Sequence, residues 1–124
     1  MSNSDLNVNS DADGMTSYEY LVDNINGDKN LIDSAVCKII STDTSGQFCA
    51  SAARFLSAVD AEGFSSQIDS LLQSVISKDR EKQYLPGLLP AIWGEDYMTH
   101  AEELRDRDDN FRRIFKRVHP AGII

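Results

Sequence analysis

The sequence predicts an all-α protein, a compact bundle of about five helices preceded by a disordered acidic N-terminal tail. Apolar residues recur at intervals of three and four over most of the chain, which is the spacing of a buried helical stripe. The 124 residues are the size of one domain. We expect residues 1–14 to form a tail, residues 15–118 a single helical domain, and residues 119–124 a second short tail.

Composition narrows the classes of function. The formal net charge of −8 disfavours nucleic-acid binding by the whole surface. No run approaches the ~20 apolar residues of a membrane span, and the first residues lack the basic and apolar regions of a secretory signal. We therefore expect a soluble, cytoplasmic protein that does not bind membranes.

The N-terminal tail contains a partial calcium-loop pattern. Asn9, Asp11 and Asp13 match the first, third and fifth positions of such a loop, where side-chain oxygens bind the ion, and Gly14 matches the sixth. The twelfth position, which needs a bidentate glutamate, is Tyr20. An acidic tail that ends in a turn is the preferred interpretation.

The first two helices are predicted to form a short hairpin. Thr16 and Glu19 have the spacing of a capping box, and the first helix stops at Asn26 and Gly27. The second helix carries adjacent apolar pairs every four residues and is capped by Asp28 or Asn30. Together they predict an αα-hairpin with a tight turn.

The third helix is predicted over residues 45–61 and the fourth from Ser65 or Ser66 to about residue 78. Inward-facing positions on the third helix are Phe48, Cys49, Ala52, Phe55, Leu56 and Val59. Cys37 and Cys49 fit neither a redox pair nor a zinc site. They are expected to be two buried thiols, with a disulfide as the alternative.

Residues 84–94 interrupt the helical pattern. This stretch reads YLPGLLPAIWG, without a charge, and Pro86 and Pro90 argue against one continuous helix. It is too apolar for a solvated loop. The preferred interpretation is a buried connector. The alternative is a docking segment that binds a partner through apolar anchors, which would be Leu85, Leu88, Leu89 and Trp93.

Residues 95–118 carry the strongest amphipathic pattern of the chain. The apolar stripe contains Tyr97, Ala101, Leu104, Phe111, Phe115 and Val118. Asp108 occupies the one place where the stripe lacks an apolar residue. Because Asp108, Asp109 and Asn110 are poor helix formers and good caps, a break at this point is favoured over a continuous helix.

The last turns of this stretch are basic on the face opposite the stripe. The cations are Arg112, Arg113, Lys116 and Arg117. Three acid-to-base pairs at (i, i+4) would support the helix, namely Glu103–Arg107, Asp108–Arg112 and Asp109–Arg113. Arg112–Lys116 and Arg113–Arg117 are like-charge pairs at the same spacing and oppose it. The stability of the helix therefore does not explain why four cations occur in these turns. This face is either solvated or a surface for an acidic partner or a phosphate. A membrane surface is disfavoured, because four charges make a weak anchor.

The residues indicate no specific enzyme. Asp96, His100 and Glu103 share a helix face that could hold a metal ion, but no other helix offers a matching ligand pair. No nucleophile elbow, phosphate loop or dinucleotide fingerprint is present. We expect a protein that is not an enzyme and has neither a cofactor nor a metal.

The sequence thus predicts a non-catalytic module that binds a protein partner, as an adaptor, a chaperone-like protein or an inhibitory regulator. Its expected contacts are Leu85, Leu88, Leu89, Trp93, Arg112, Arg113, Lys116 and Arg117. The alternatives are a nucleic-acid-binding regulator that uses the last helix and an acidic nucleic-acid mimic that blocks a DNA-binding protein. Homodimerisation is also left open.

Overall fold

The computed structural model describes residues 14–120, which contain seven α-helices and no strand. The helices are α1 Met15–Asp23, α2 Lys29–Thr42, α3 Gln47–Asp60, α4 Ser65–Lys78, α5 Leu85–Trp93, α6 Ala101–Arg107 and α7 Asp109–Val118. The all-helical class is confirmed, and the count exceeds the predicted five. The predicted tails and the partial calcium loop lie outside the described residues, apart from Gly14, His119 and Pro120.

The first two helices begin in different ways. The capping box predicted at Thr16 is wrong, because α1 already begins at Met15 after Gly14, whose left-handed φ of 93° turns the chain into the helix. For α2 the predicted cap is confirmed: the Asp28 carboxylate accepts a hydrogen bond from the backbone N–H of Asn30 at 2.9 Å.

Helix α3 lies at the centre of the bundle and packs against α1, α2, α4 and α5. Its buried face is built mostly from small side chains, which let neighbouring helices approach closely; these are Cys49, Ala50, Ala52, Ala53 and Leu56. Val59 was expected to face inward as well. It is instead 48% exposed, because it lies in the last turn of α3.

Helix α4 runs parallel to both α2 and α7. Its first half meets the first half of α2 where Gln67 Nε2 donates to Asp33 Oδ1 at 2.6 Å, and its end meets the end of α2 where Lys78 donates to the carbonyl of Ile40. Its contacts with α7 follow the same order along both helices. Helix α4 therefore lies between α2 and α7 and contacts both.

Residues 85–93 form a helix in spite of two prolines, so the prediction that prolines exclude a continuous helix here is wrong. Pro86 stands in the first turn of α5, where a backbone N–H has no helical partner in any case. Only Pro90 is interior, and it removes a single helical hydrogen bond. Burial of the leucine face offsets that loss.

The predicted break at Asp108 is confirmed. Asp108 ends α6 in an extended conformation, with ψ of 106°, and caps α7 by accepting a hydrogen bond from the backbone N–H of Phe111 at 3.1 Å. Asp108, which interrupts the apolar stripe, is therefore a helix cap. None of the helices within residues 14–120 is long and apolar enough to cross a membrane.

Candidate protein-binding surface

Helix α7 is strongly two-sided. Phe111, Ile114 and Phe115 are buried in the core. Phe111 stacks on Phe115 at 5.3 Å between ring centroids and meets the edge of Trp93 at 5.2 Å. These aromatic contacts fix the rotation of α7 about its axis. The rotation in turn determines which side chains reach solvent.

The outward side of α7 presents Arg112, Arg113 and Lys116, which we call the cationic face. All three side chains are exposed. Asp109 forms ion pairs with both arginines, at 3.0 Å to Arg113 Nε. No carboxylate of residues 14–120 lies within ion-pair distance of Lys116. Asp109 is thus the one carboxylate of the described residues in ion-pair contact with these cations, while Glu102 and Asp106 line a shallow depression together with Arg112. The net positive charge of the face therefore lies toward Lys116.

The fourth predicted cation does not belong to this face. The guanidinium of Arg117 turns inward and donates to the main-chain carbonyls of Ile76 at 2.6 Å and of Asp79 at 2.9 Å. These groups lie at the end of α4, where helical carbonyls lack intrahelical partners. The side chain is half-buried there. Arg117 therefore binds another part of its own chain, and its placement on a partner surface is corrected.

The predicted apolar anchors also belong to the interior. Leu85, Leu88 and Leu89 are each 0% exposed, which agrees with the interpretation of a buried connector and removes them from any docking surface of the folded domain. Trp93 is half-buried, and its indole N–H donates to Asp108 Oδ2 at 2.8 Å. The hydrophobic effect explains this placement, because three leucines on one face of α5 bury together against α3 and α7.

The candidate metal site on one helix face is not assembled. Asp96 and His100 lie in the turn before α6, where His100 Nε2 is 3.3 Å from Asp96 Oδ2 and both side chains are largely exposed. Glu103 lines the same shallow depression as His100, but no hydrogen bond or ion pair joins it to either residue. Within residues 14–120, no group of three or more His, Cys, Asp or Glu side chains is placed to hold a metal ion.

The two cysteines are free thiols in different environments. The expectation that both are buried holds for Cys49 alone, since Cys37 lies exposed on α2. Burial raises the pKa of the Cys49 thiol to about 11, and its Sγ lies 3.3 Å from Ser74 Oγ. A thiol that stays protonated is a poor nucleophile.

Two buried aspartates were not singled out by the sequence. Asp43 accepts hydrogen bonds from the backbone N–H groups of Gly46 and Cys49, and Asp79 accepts them from those of Tyr84 and Leu85. Both residues are 2% exposed. Each carboxylate organises the loop that precedes a helix. Their one sequence signal is an aspartate shortly before a helix start.

Comparisons with known proteins add no identification: no protein-family model, no curated protein and no solved structure matches the chain.

Proposed function

We propose that this protein is a non-catalytic helical module that acts by binding another protein, as an adaptor, a chaperone-like protein or an inhibitory regulator. The observation that carries the proposal is the cationic face of α7. Arg112 and Lys116 are like charges one helical turn apart, an arrangement that disfavours the helix slightly. An acidic segment of a partner protein would remove this repulsion.

The distribution of ionisable groups supports a binding role rather than a catalytic one. The two most buried carboxylates, Asp43 and Asp79, are occupied by backbone N–H groups of their own loops. The buried thiol of Cys49 has its pKa raised to about 11. These groups stabilise the fold, and the polar residues left at the surface are mainly charged side chains suited to recognition.

A protein partner fits the face better than a nucleic acid does. Three outward cations would give a salt dependence with a slope of only about −2 to −3 for duplex DNA, and Asp109 offsets part of their charge. The net charge of −8 opposes association with a polyanion at longer range. An acidic protein segment needs fewer ionic contacts, because hydrogen bonds and apolar contacts elsewhere in a protein interface add to the ion pairs.

The test is affinity capture of the tagged full-length chain from a lysate of its source cells, with and without nuclease, quantified by mass spectrometry. The wild type is compared with Arg113→Glu/Lys116→Glu. The matched control is Lys38→Glu/Arg54→Glu, which makes the same change in charge at exposed positions on α2 and α3. Far-UV circular dichroism checks that each variant keeps its helices.

We expect one protein partner that survives nuclease, is retained by the control and falls by about tenfold or more with the α7 variant, because like charges across an interface are strongly unfavourable. Equal recovery by both variants would remove the cationic face from the proposal. Recovery that disappears with nuclease would favour a nucleic-acid-binding regulator instead, and capture of nothing but the protein itself would contradict a stable partner.

A further inference from the structure

The turn between α1 and α2 contains an asparagine followed directly by a glycine. Asn26 and Gly27 lie outside both helices, because α1 ends at Asp23 and α2 begins at Lys29. Both residues are exposed. Within residues 14–120, the side-chain amide of Asn26 has no hydrogen-bond partner. Its carbonyl carbon is therefore accessible to a nucleophile.

The residue after Asn26 supplies that nucleophile. The backbone nitrogen of a following residue attacks an asparagine side chain once its proton has been lost to a base. Gly27 has no Cβ to obstruct the approach, and glycine reaches backbone conformations that other residues avoid. The Gly27 N–H donates to the carbonyl of Asn24 at 2.9 Å. This bond must open first, and exposed loops open locally at little free-energy cost.

The other three asparagines of residues 14–120 are in environments that oppose this reaction. The side chain of Asn24 donates to the carbonyl of Tyr20 at 2.8 Å, and the β-branched Ile25 follows it. Asn30 lies within α2 and Asn110 within α7, where the backbone is fixed. Asn110 is also buried, with 8% of its surface exposed. Asn26 alone combines exposure, an irregular backbone and a following glycine.

We propose that Asn26 is a site of spontaneous deamidation, with water as the co-reactant. The nitrogen of Gly27 forms a bond to the side-chain carbonyl carbon of Asn26, and the bond from that carbon to the amide nitrogen breaks. Ammonia leaves with the proton that the Gly27 N–H had given to the base, and a succinimide ring remains. Water then adds to either carbonyl carbon of the ring and breaks its bond to the Gly27 nitrogen. One water is consumed, one ammonia is released, and no oxidant or reductant is needed.

The two ways of opening the ring give different products. Opening at the side-chain carbonyl gives aspartate, and opening at the main-chain carbonyl gives isoaspartate. Both add a negative charge close to Asp28, which caps α2. Isoaspartate also inserts a methylene group into the main chain. Because α1 packs against α2 and α3, we expect this longer turn to loosen the packing of α1.

This inference goes beyond the proposed function. It involves none of the residues of the cationic face, and either proposal can fail without the other. The reaction is also independent of any partner, so it is measured on the purified chain.

The test follows the amide of Asn26 in the full-length protein at physiological temperature, in neutral and in mildly alkaline buffer. Digestion at acidic pH suppresses further reaction and releases peptides, whose mass spectra show where an amide has become an acid. Chromatography separates the aspartate peptides from the isoaspartate peptides. A synthetic peptide of residues 22–31, incubated alongside, shows the rate of the reaction without the fold.

We expect Asn26 to lose its amide faster than Asn24, Asn30 and Asn110 in the same molecules. Both products should form, and the rate should rise with pH, because the nucleophile is the deprotonated amide. No product at Asn26 over a period in which the peptide reacts would overturn the proposal. Equal loss at Asn24 and Asn26, or aspartate without isoaspartate, would also contradict it.

A variant tests the part played by the glycine. Gly27 does not have a left-handed φ, so alanine can adopt its backbone conformation. The added Cβ would lie 3.2 Å from the carbonyl oxygen of Asn24, a contact that a small shift of this exposed turn relieves. We expect Gly27→Ala to slow the loss of the Asn26 amide several-fold, because the methyl group obstructs the attacking nitrogen.

The matched control is Gly87→Ala, at an exposed position in α5 where an added Cβ meets nothing within 4 Å. It should leave the rate at Asn26 unchanged. Far-UV circular dichroism checks that both variants keep their helices. Equal rates for Gly27→Ala and the wild type would contradict the attack by the Gly27 nitrogen.

Discussion

Single carboxylates determine how the chain enters two of its helices. Asp79 accepts hydrogen bonds from the backbone N–H groups of Gln83 at 2.9 Å and of Tyr84 and Leu85, each at 2.8 Å. Helix α5 has no other side-chain cap at its N-terminus. One buried carboxylate therefore satisfies the backbone donors of the loop that leads into α5 and of its first residue. Asp43 has the corresponding role before α3.

Replacing Asp79 with alanine should therefore destabilise the protein. Asp79→Ala leaves three backbone donors without an acceptor, one of them buried and two partly buried, and we expect the free energy of unfolding to fall by about 2–4 kcal/mol. Urea denaturation followed by far-UV circular dichroism measures the change. Glu81→Ala, at an exposed position in the same loop, is the control and should stay within about 0.5 kcal/mol of the wild type. A similarly small effect for Asp79→Ala would contradict the structural role.

Asp108 and Arg117 show what local pattern can and cannot predict. Asp108 interrupted an otherwise regular stripe and was followed by two further capping residues, so the break was predictable from its neighbours alone. Arg117 lay on the arc opposite the apolar residues and was predicted to face solvent. Its acceptors are carbonyls about 40 residues earlier in the chain, and no local pattern contains that information.

The last carbonyls of a helix have no intrahelical hydrogen-bond donor. At the C-terminal end of α4, a side chain of another helix supplies such a donor. Arg117 reaches from the end of α7 to the carbonyls of Ile76 and Asp79. A guanidinium has several donors in a fixed plane, so it can bind two carbonyls at once. Helices α4 and α7 are therefore joined at both ends, by Asn110 with Asp69 at one and by Arg117 at the other.

Arg117→Ala should loosen this end of the bundle. We expect a loss of about 1.5–3 kcal/mol in the free energy of unfolding, since hydrogen bonds from a charged donor are lost and the carbonyls are left half-buried. Lys116→Ala, one residue earlier but exposed, should change it by less than about 0.5 kcal/mol. Chemical denaturation of both variants provides the comparison. Equal effects would mean that Arg117 contributes no more than a surface charge.

Helix α5 was missed because a general rule was applied without regard to position. Proline interrupts a helix only where it removes a needed N–H or clashes with the preceding turn. Pro86 falls in the first turn, where neither condition applies. What determines α5 is burial: Leu85, Leu88 and Leu89 are fully enclosed by other helices. Their spacing of three and four residues is the signal of a buried helical face, and it outweighs the two prolines.

The bundle encloses one continuous apolar core, to which every helix contributes. The class of fold was predictable, because periodic apolar positions identify buried faces without knowledge of their partners. The pairing of the helices was not predictable, because many arrangements of helices bury the same faces. The contact of Asn110 with Asp69 belongs to this second category, since the two residues are adjacent only once α4 and α7 lie side by side.

Thiol labelling should report the opening of this core. Cys37 is exposed, whereas Cys49 is 0% exposed and has its pKa raised to about 11. At pH 8 we expect one thiol to react rapidly with Ellman's reagent and the second only as the bundle unfolds. The measurement is the labelling rate at increasing urea, compared with the loss of helicity.

Cys37→Ser is the control, and it should remove the fast phase and leave the slow one. Rapid reaction of both cysteines in the absence of urea would contradict the burial of Cys49. Slow reaction of Cys49 in step with the loss of helicity would show that the core opens as a unit.

The parallel course of α4 and α7 has a consequence for folding kinetics. Asn110 meets Asp69 and Arg117 meets Ile76, and both pairs are separated by 41 residues. Two parallel helices cannot be joined by a tight turn, so α5 and α6 must carry the chain back before the pair can form. Contacts of such sequence separation raise the contact order and carry a loop-closure entropy that neighbouring helices avoid. We therefore expect this protein to fold more slowly than a bundle of the same length whose helices pair only with their immediate neighbours.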